Sequence, residues 1–188
     1  KKSSSTSVSS KGGVQTTPFE IDVADYEENR HFFFSTFFRD KYNASMKKLP
    51  TVATGITINR VEIWVTNKTG TTANTRNIVA FSELGEGSFI KNPMWHGTGA
   101  ILPGNQSNDL YSTIVSNIDD ESRGIDQVTT QLEALSGWTG GVDYEKLSSA
   151  RLLSSSEYTV NSALGYISLK SGLQTDQVLA VAFEYTYG

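Results

Sequence analysis

The sequence predicts an α+β fold: antiparallel strands in sandwich-like sheets, with several flanking helices. Three observations predict it. Apolar and polar residues alternate with period two over Ile56–Thr66 and again over Val178–Tyr187, which is the mark of strands. Phe34, Phe38, Tyr42 and Met46 recur at four-residue steps, the spacing of one helix face. Between these regions, residues 110–135 carry shorter helical patterns. A chain of 188 residues buries about 70% of its unfolded surface without needing covalent staples.

Lys1–Thr17 is rich in Ser and Thr, contains Gly12-Gly13, and reads as a flexible linker. It has no apolar core of a signal peptide. The first residue is Lys1 rather than Met, so the chain reads as a processed product or a piece of something longer. Residues 18–188 are expected to form a single α+β domain. Phe19–Val23 alternates as a short strand would. Asp25 with Glu28 resembles a capping box and opens a helix over roughly residues 26–48, stopped before Pro50. A strand through His31–Phe34 is the rival reading, because Phe is a good strand residue.

Ile56–Thr66 reads as a strand with Val61, Ile63 and Val65 on one face. Asn77–Leu84 reads as a second strand, and the two are expected to pair as a hairpin across the Thr/Gly/Asn loop. Glycines and prolines then break the chain up to residue 107. Leu110, Ile114 and Ile118 predict a helix with Asn108 as a possible cap. Ile125, Val128, Leu132 and Leu135 predict another, with Gly137 at the C-terminal glycine position. A weak third helix is expected from Asp143 toward Leu152. Glu157–Val160 and Tyr166–Leu169 predict a hairpin turning at Gly165. In the last strand Leu179, Val181, Phe183, Tyr185 and Tyr187 share a face, and the small Ala180 and Ala182 alternate with them. That pattern predicts a central strand covered on both sides.

Composition excludes several kinds of chemistry. The chain has no cysteine, which removes disulfides, thiolate metal sites and cysteine nucleophiles. Its net charge is -4 with no basic run longer than a pair, so the footprint of a nucleic-acid binder is missing. No apolar run reaches the 18 or so residues of a spanning helix. His31 and His96 lack the neighbours of a zinc site. Asp119-Asp120-Glu121 lacks the alternation of a calcium loop and suits the start of a helix near Arg123. Acids such as Glu27, Glu28, Glu133 and Glu145 are not brought to a defined separation by any spacing. No nucleophile elbow or phosphate-binding loop is present. Neither a metal nor a cofactor is expected, and the chain reads as no enzyme. Trp95 and Trp138 lie in Gly-rich loops and are the candidate binding residues, since a rigid ring makes a good sugar or peptide platform. The competing reading is that such rings plug the core; Trp64 is a third ring of this kind.

Several strings resemble one family. They are Asn29–Phe33 with Phe38-Arg39-Asp40, Arg60–Asn67, Thr75–Phe81, Leu102-Pro103 with Asn108–Tyr111, Ser156–Thr159, Leu164–Leu169 and Val178–Tyr185. In order and content they resemble the SprA/Sov family of Bacteroidetes cell-surface proteins, the outer-membrane translocon of the type IX secretion system, which supports gliding motility. The resemblance runs from about residue 19 to the end. It implies a domain of a much longer outer-membrane β-barrel protein, with the rest of the translocon and other secretion-system proteins as partners. It supplies no catalytic residues. It therefore implies a soluble, non-catalytic structural and interaction domain on the periplasmic or extracellular side. A surface carbohydrate-binding β-sandwich module is the alternative.

Overall fold

A computed structural model of the chain describes residues 20–51, 54–90, 101–135 and 137–188. The elements are β1 (His31–Phe33), α1 (Thr36–Met46), β2 (Ile56–Val65), β3 (Thr75–Phe81), α2 (Leu110–Asn117), α3 (Val128–Ala134), β4 (Tyr144–Leu152), β5 (Tyr158–Asn161), β6 (Tyr166–Leu169) and β7 (Leu179–Tyr187). They form two antiparallel sheets, one of three strands in the order β1-β6-β5 and one of four in the order β3-β4-β2-β7. The fold is α+β, as the sequence predicts.

The three-stranded sheet and α1 close one face of the β2–β7 ribbon. Val61, Ile63 and Val65 of β2 stand beside Phe183, Val181 and Leu179 of β7. These side chains meet Phe34, Phe37, Phe38, Ile167 and Leu169 in one core. Aromatic rings dominate it: Phe34 stacks on Phe183 at 5.3 Å, and Phe38 meets Phe37 edge-on at 5.3 Å. Such pairs add to their area burial because ring edges and faces carry opposite partial charge. Gly165, in the β5–β6 turn at φ +70°, lets the chain pass directly over Phe38; a Cβ there would stand 1.9 Å from the ring.

The four-stranded sheet is not flat. The β2–β4 ladder has two residue pairs, Trp64–Leu152 and Val65–Arg151, continued by the Leu153 N–H donating to the Ile63 carbonyl at 2.8 Å. Beyond that joint the sheet is two ribbons, β2–β7 and β3–β4. In a flat sheet the edge strands β3 and β7 would lie about 14 Å apart, three strand spacings. Instead Ile78 and Ala80 of β3 pack on the same cluster as Val178 and Ala180, around Trp64, Leu147 and Ala150. The β3–β4 ribbon therefore folds over the second face of β2–β7. Its own outer face is covered by α2 and α3, through Ile90, Leu110, Val128, Leu132, Trp138 and Tyr144.

Several expectations are corrected. The segment 26–48 splits: His31–Phe33 is a strand paired with Tyr166–Ser168, and the helix begins only at Thr36. The 3-10 turn Val23–Asp25 is capped by Asp22, whose carboxylate accepts the Ala24 N–H at 2.9 Å. No capping box opens at Asp25, and Glu20–Asp22 form no strand; Phe19 lies outside the described residues. β2 and β3 do not pair with each other, because β4 lies between them. The segment from Asp143 to Leu152 is not a helix but β4. β7 is an edge strand rather than a central one, with Ala182 and Glu184 exposed. The strands of β2 and β7, the β5–β6 hairpin and the helices at 110 and 128 stand as expected. The N-cap of α2 is Asp109, one residue beyond the expected Asn108, whose side-chain oxygen still accepts the Leu110 N–H at 2.9 Å.

Candidate functional site: a groove between two strand edges

The fold of the two ribbons leaves a groove of about 640 Å³, within the range of ligand-binding clefts. Consecutive residues line it on both sides: Ile78–Ser82 from β3 and its end, and Leu179–Phe183 from β7. Neighbouring side chains in a strand point to opposite faces. Lining by consecutive residues therefore means that the groove runs along the strand edges. Among the described residues β3 pairs only with β4 and β7 only with β2, so both edges carry backbone groups with no strand partner there. Glu62 and Trp64 of β2 and Ala180 and Ala182 of β7 also face the groove.

The far wall is a pair of loops, 84–86 and 103–105. They are tied together. Gly104 donates its N–H to the Gly85 carbonyl at 2.7 Å. The buried Asn108 amide donates to the carbonyls of Glu83 (3.3 Å) and Glu86 (3.1 Å). The Tyr185 hydroxyl donates to the Pro103 carbonyl, joining the wall to β7.

Among the described residues three charged side chains reach the groove: Arg76, Glu62 and Glu86. Arg76 lies over the Trp64 ring, 5.4 Å from its centroid, a cation–π arrangement that holds the guanidinium in place. Glu62 is paired with Arg60 at 2.5 Å. Glu86 is buried, only 6% exposed. Its Oε1 accepts the Thr36 N–H at 2.6 Å, so it caps α1 from 50 residues away. Its Oε2, like the Ser35 hydroxyl, has no hydrogen-bond partner among the described residues. Burial pushes the Glu86 carboxyl above the ordinary glutamate range, against the opposing pull of the Thr36 and Phe37 amides.

The residues singled out from sequence are scattered. Trp138 is 5% exposed and packs edge-on against Phe81 at 5.2 Å; its ring is a core element and offers no open platform. Trp95 and His96 lie outside the described residues. Trp64 is buried beneath Arg76. His31 Nε2 donates to the Glu27 carboxylate at 2.7 Å, and its Nδ1 lies 2.8 Å from the Ser168 hydroxyl on the small sheet. The His31 hydrogen bond, with Arg30 nearby, lowers the carboxyl pKa of the exposed Glu27. Asp120 pairs with Arg123 at 2.7 Å beside a single 3-10 turn. Among the described residues no three metal-ligating side chains gather. Nothing in the local sequence pattern points to Arg76 or Glu86. Only the small-residue alternation of Ala180 and Ala182 hinted at this face of β7.

The chain matches no protein-family model and no curated protein.

Proposed function

We propose that the chain is a non-catalytic structural and interaction domain of an outer-membrane protein-export translocon, as its resemblance to the SprA/Sov family implies. One observation carries the reading: the strings of that resemblance are each other's partners in the framework. Asn29–Phe33 leads into β1, which pairs with the Tyr166–Ser168 string. Arg60–Val65 pairs with Leu179–Glu184. Arg30 donates to the carbonyls of Leu169 and Lys170, each at 3.0 Å, closing the sheet. Glu157, from the Ser156–Thr159 string, accepts two bonds from Arg151 at 3.0 Å and the Ser154 N–H at 2.9 Å. A set of residues used this way specifies a scaffold, and an open groove beside it suits an interaction module.

None of the described helices is long and apolar enough to cross a membrane. The test is genetic. In the bacterium that encodes the chain, residues 20–188 are deleted in frame from the chromosomal gene. The reading predicts cargo held in the periplasm and loss of gliding, with the truncated protein still present in the outer membrane by immunoblot. Normal secretion and gliding in that strain would contradict it.

A further inference from the structure

We propose that the groove between β3 and β7 docks an extended, acidic segment of a separate polypeptide, which adds as a strand to the free edge of β7 and sets a carboxylate against Arg76. The proposal goes beyond the translocon reading and does not depend on it. The first ground is the edge itself. β7 runs from Leu179 to Tyr187 with one side unpaired by any strand among the described residues. Natural edges are blunted by lysine, proline, bulges or a covering element. β7 contains no lysine or proline, its one charged residue, Glu184, stands opposite Arg60 of β2, and the register shift of its pairing falls on β2, at Ile58–Arg60. An incoming strand satisfies the free N–H and C=O groups and places every second side chain into the groove. The small Ala80 and Ala182 leave room for those side chains.

The second ground is charge. Glu62 is neutralised by Arg60, and Glu86 is buried behind the Thr36 N–H. Arg76 makes no ion pair among the described residues, and its guanidinium is already oriented by Trp64. A planar guanidinium fixed on a ring matches a carboxylate with two parallel donors. Among the described residues Arg76 is thus the available cation of the groove, in a chain of net charge -4, and an acidic residue complements it.

The test pans a phage library of random ten-residue peptides on the purified chain, on Arg76→Gln and on Ala182→Trp, whose exposed side chain would fill the groove. Enriched peptides should alternate β-branched and polar residues and carry Asp or Glu at one fixed position. Against the unmodified chain, a synthetic winner should lose about fivefold in affinity when that residue becomes Asn or Gln, the size of a partly exposed ion pair. Against Arg76→Gln the two peptides should bind alike. Backbone N-methylation at alternate peptide residues, or Ala182→Trp, should abolish binding. Should either variant melt early, chemical-shift changes on β7 amides and Arg76 Nε of the unmodified chain decide instead. Four results would overturn the proposal: no enrichment, enrichment of basic peptides, an acidic preference that survives Arg76→Gln, or a β7-to-β7 dimer by sedimentation.

Discussion

Phe183 and Ala182 are neighbours in sequence and belong to different worlds. Phe183 stacks on Phe34 and meets Phe38 in a core closed by α1 and the small sheet. Ala182 stands exposed on the other face of the same ribbon, at the groove. The closed face is saturated with rings. The open face carries alanines, one stacked arginine and a capping carboxylate. One ribbon therefore does two jobs: the face with Val181 and Phe183 holds the fold, and the β7 edge, with Ala180 and Ala182, borders the groove. Substitutions on the closed face should register in stability, and those on the open face in binding.

The largest stability effect is expected at the centre of the closed face. Phe38 is 0% exposed, so Phe38→Ala should cost about 3–5 kcal/mol by removing a ring and leaving a cavity. Chemical denaturation of the two proteins measures it. Phe183 is only half-buried, and Phe183→Ala should cost less than Phe38→Ala. A reversed order would mean that the closed face is centred on β7. Gly165→Ala attacks the same core from outside. Its Cβ would collide with the immobile Phe38 ring at a positive φ, and overpacking of this kind costs about 1–3 kcal/mol before backbone strain is added. An unchanged melting midpoint would show that the turn does not press on the ring.

The two regions should also respond to pH with opposite sign. Burial works against ionisation of Glu157, but the Ser154 and Arg151 hydrogen bonds outweigh it and hold its carboxyl below the ordinary range. Its contribution is present above the unfolded value near 4.5 and is lost as pH falls through the folded one. Glu86, raised chiefly by burial, does the reverse: its contribution is full below 4.5 and is lost as pH rises through the folded value. Melting curves across pH 3–8 should show Glu157→Gln most harmful at the upper end. Glu86→Gln should gain on the parent as pH rises above 4.5. Parallel curves for the parent and Glu86→Gln would contradict the burial of that carboxylate. The smallest effect is expected at Arg76. Arg76→Gln should leave stability within about 0.5 kcal/mol, as an exposed substitution does, while altering what the groove binds.

Much of the framework is legible in the sequence, and the misses have local causes. β7 announces itself by unbroken alternation, β2 by the alternation of Val61, Ile63 and Val65, and the β5–β6 hairpin by Gly165. The boundary at residues 31–36 is not local. Phe34, which continues β1, donates its N–H to the Gly165 carbonyl at 2.9 Å, and α1 takes its cap from Glu86. Both partners lie far along the chain, so the four-residue phenylalanine spacing suggests a longer helix than forms. β4 misleads by its period. Its buried residues are Tyr144, Leu147 and Ala150, three apart, which mimics a helix. The structure resolves this in two ways. Tyr144 faces α2 and α3 while Leu147 faces Trp64. A bulge opposite Arg76–Ile78, with Ser149 at φ +50°, then returns Ala150 to the side of Leu147. The groove is less legible still. It depends on β4 joining β2 through two residue pairs, a register that no local pattern encodes.

The central claim is that β7 is an open edge beside a groove, and amide hydrogen exchange along Leu179–Tyr187 tests it most directly. In an antiparallel pair alternate residues bond to the one neighbour and the others point away. The account predicts slow and fast exchange alternating with period two along β7. The fast set should become protected when an acidic extended peptide is added. Uniformly slow exchange along the whole strand in the free protein would show that the edge is already covered, and would contradict the account.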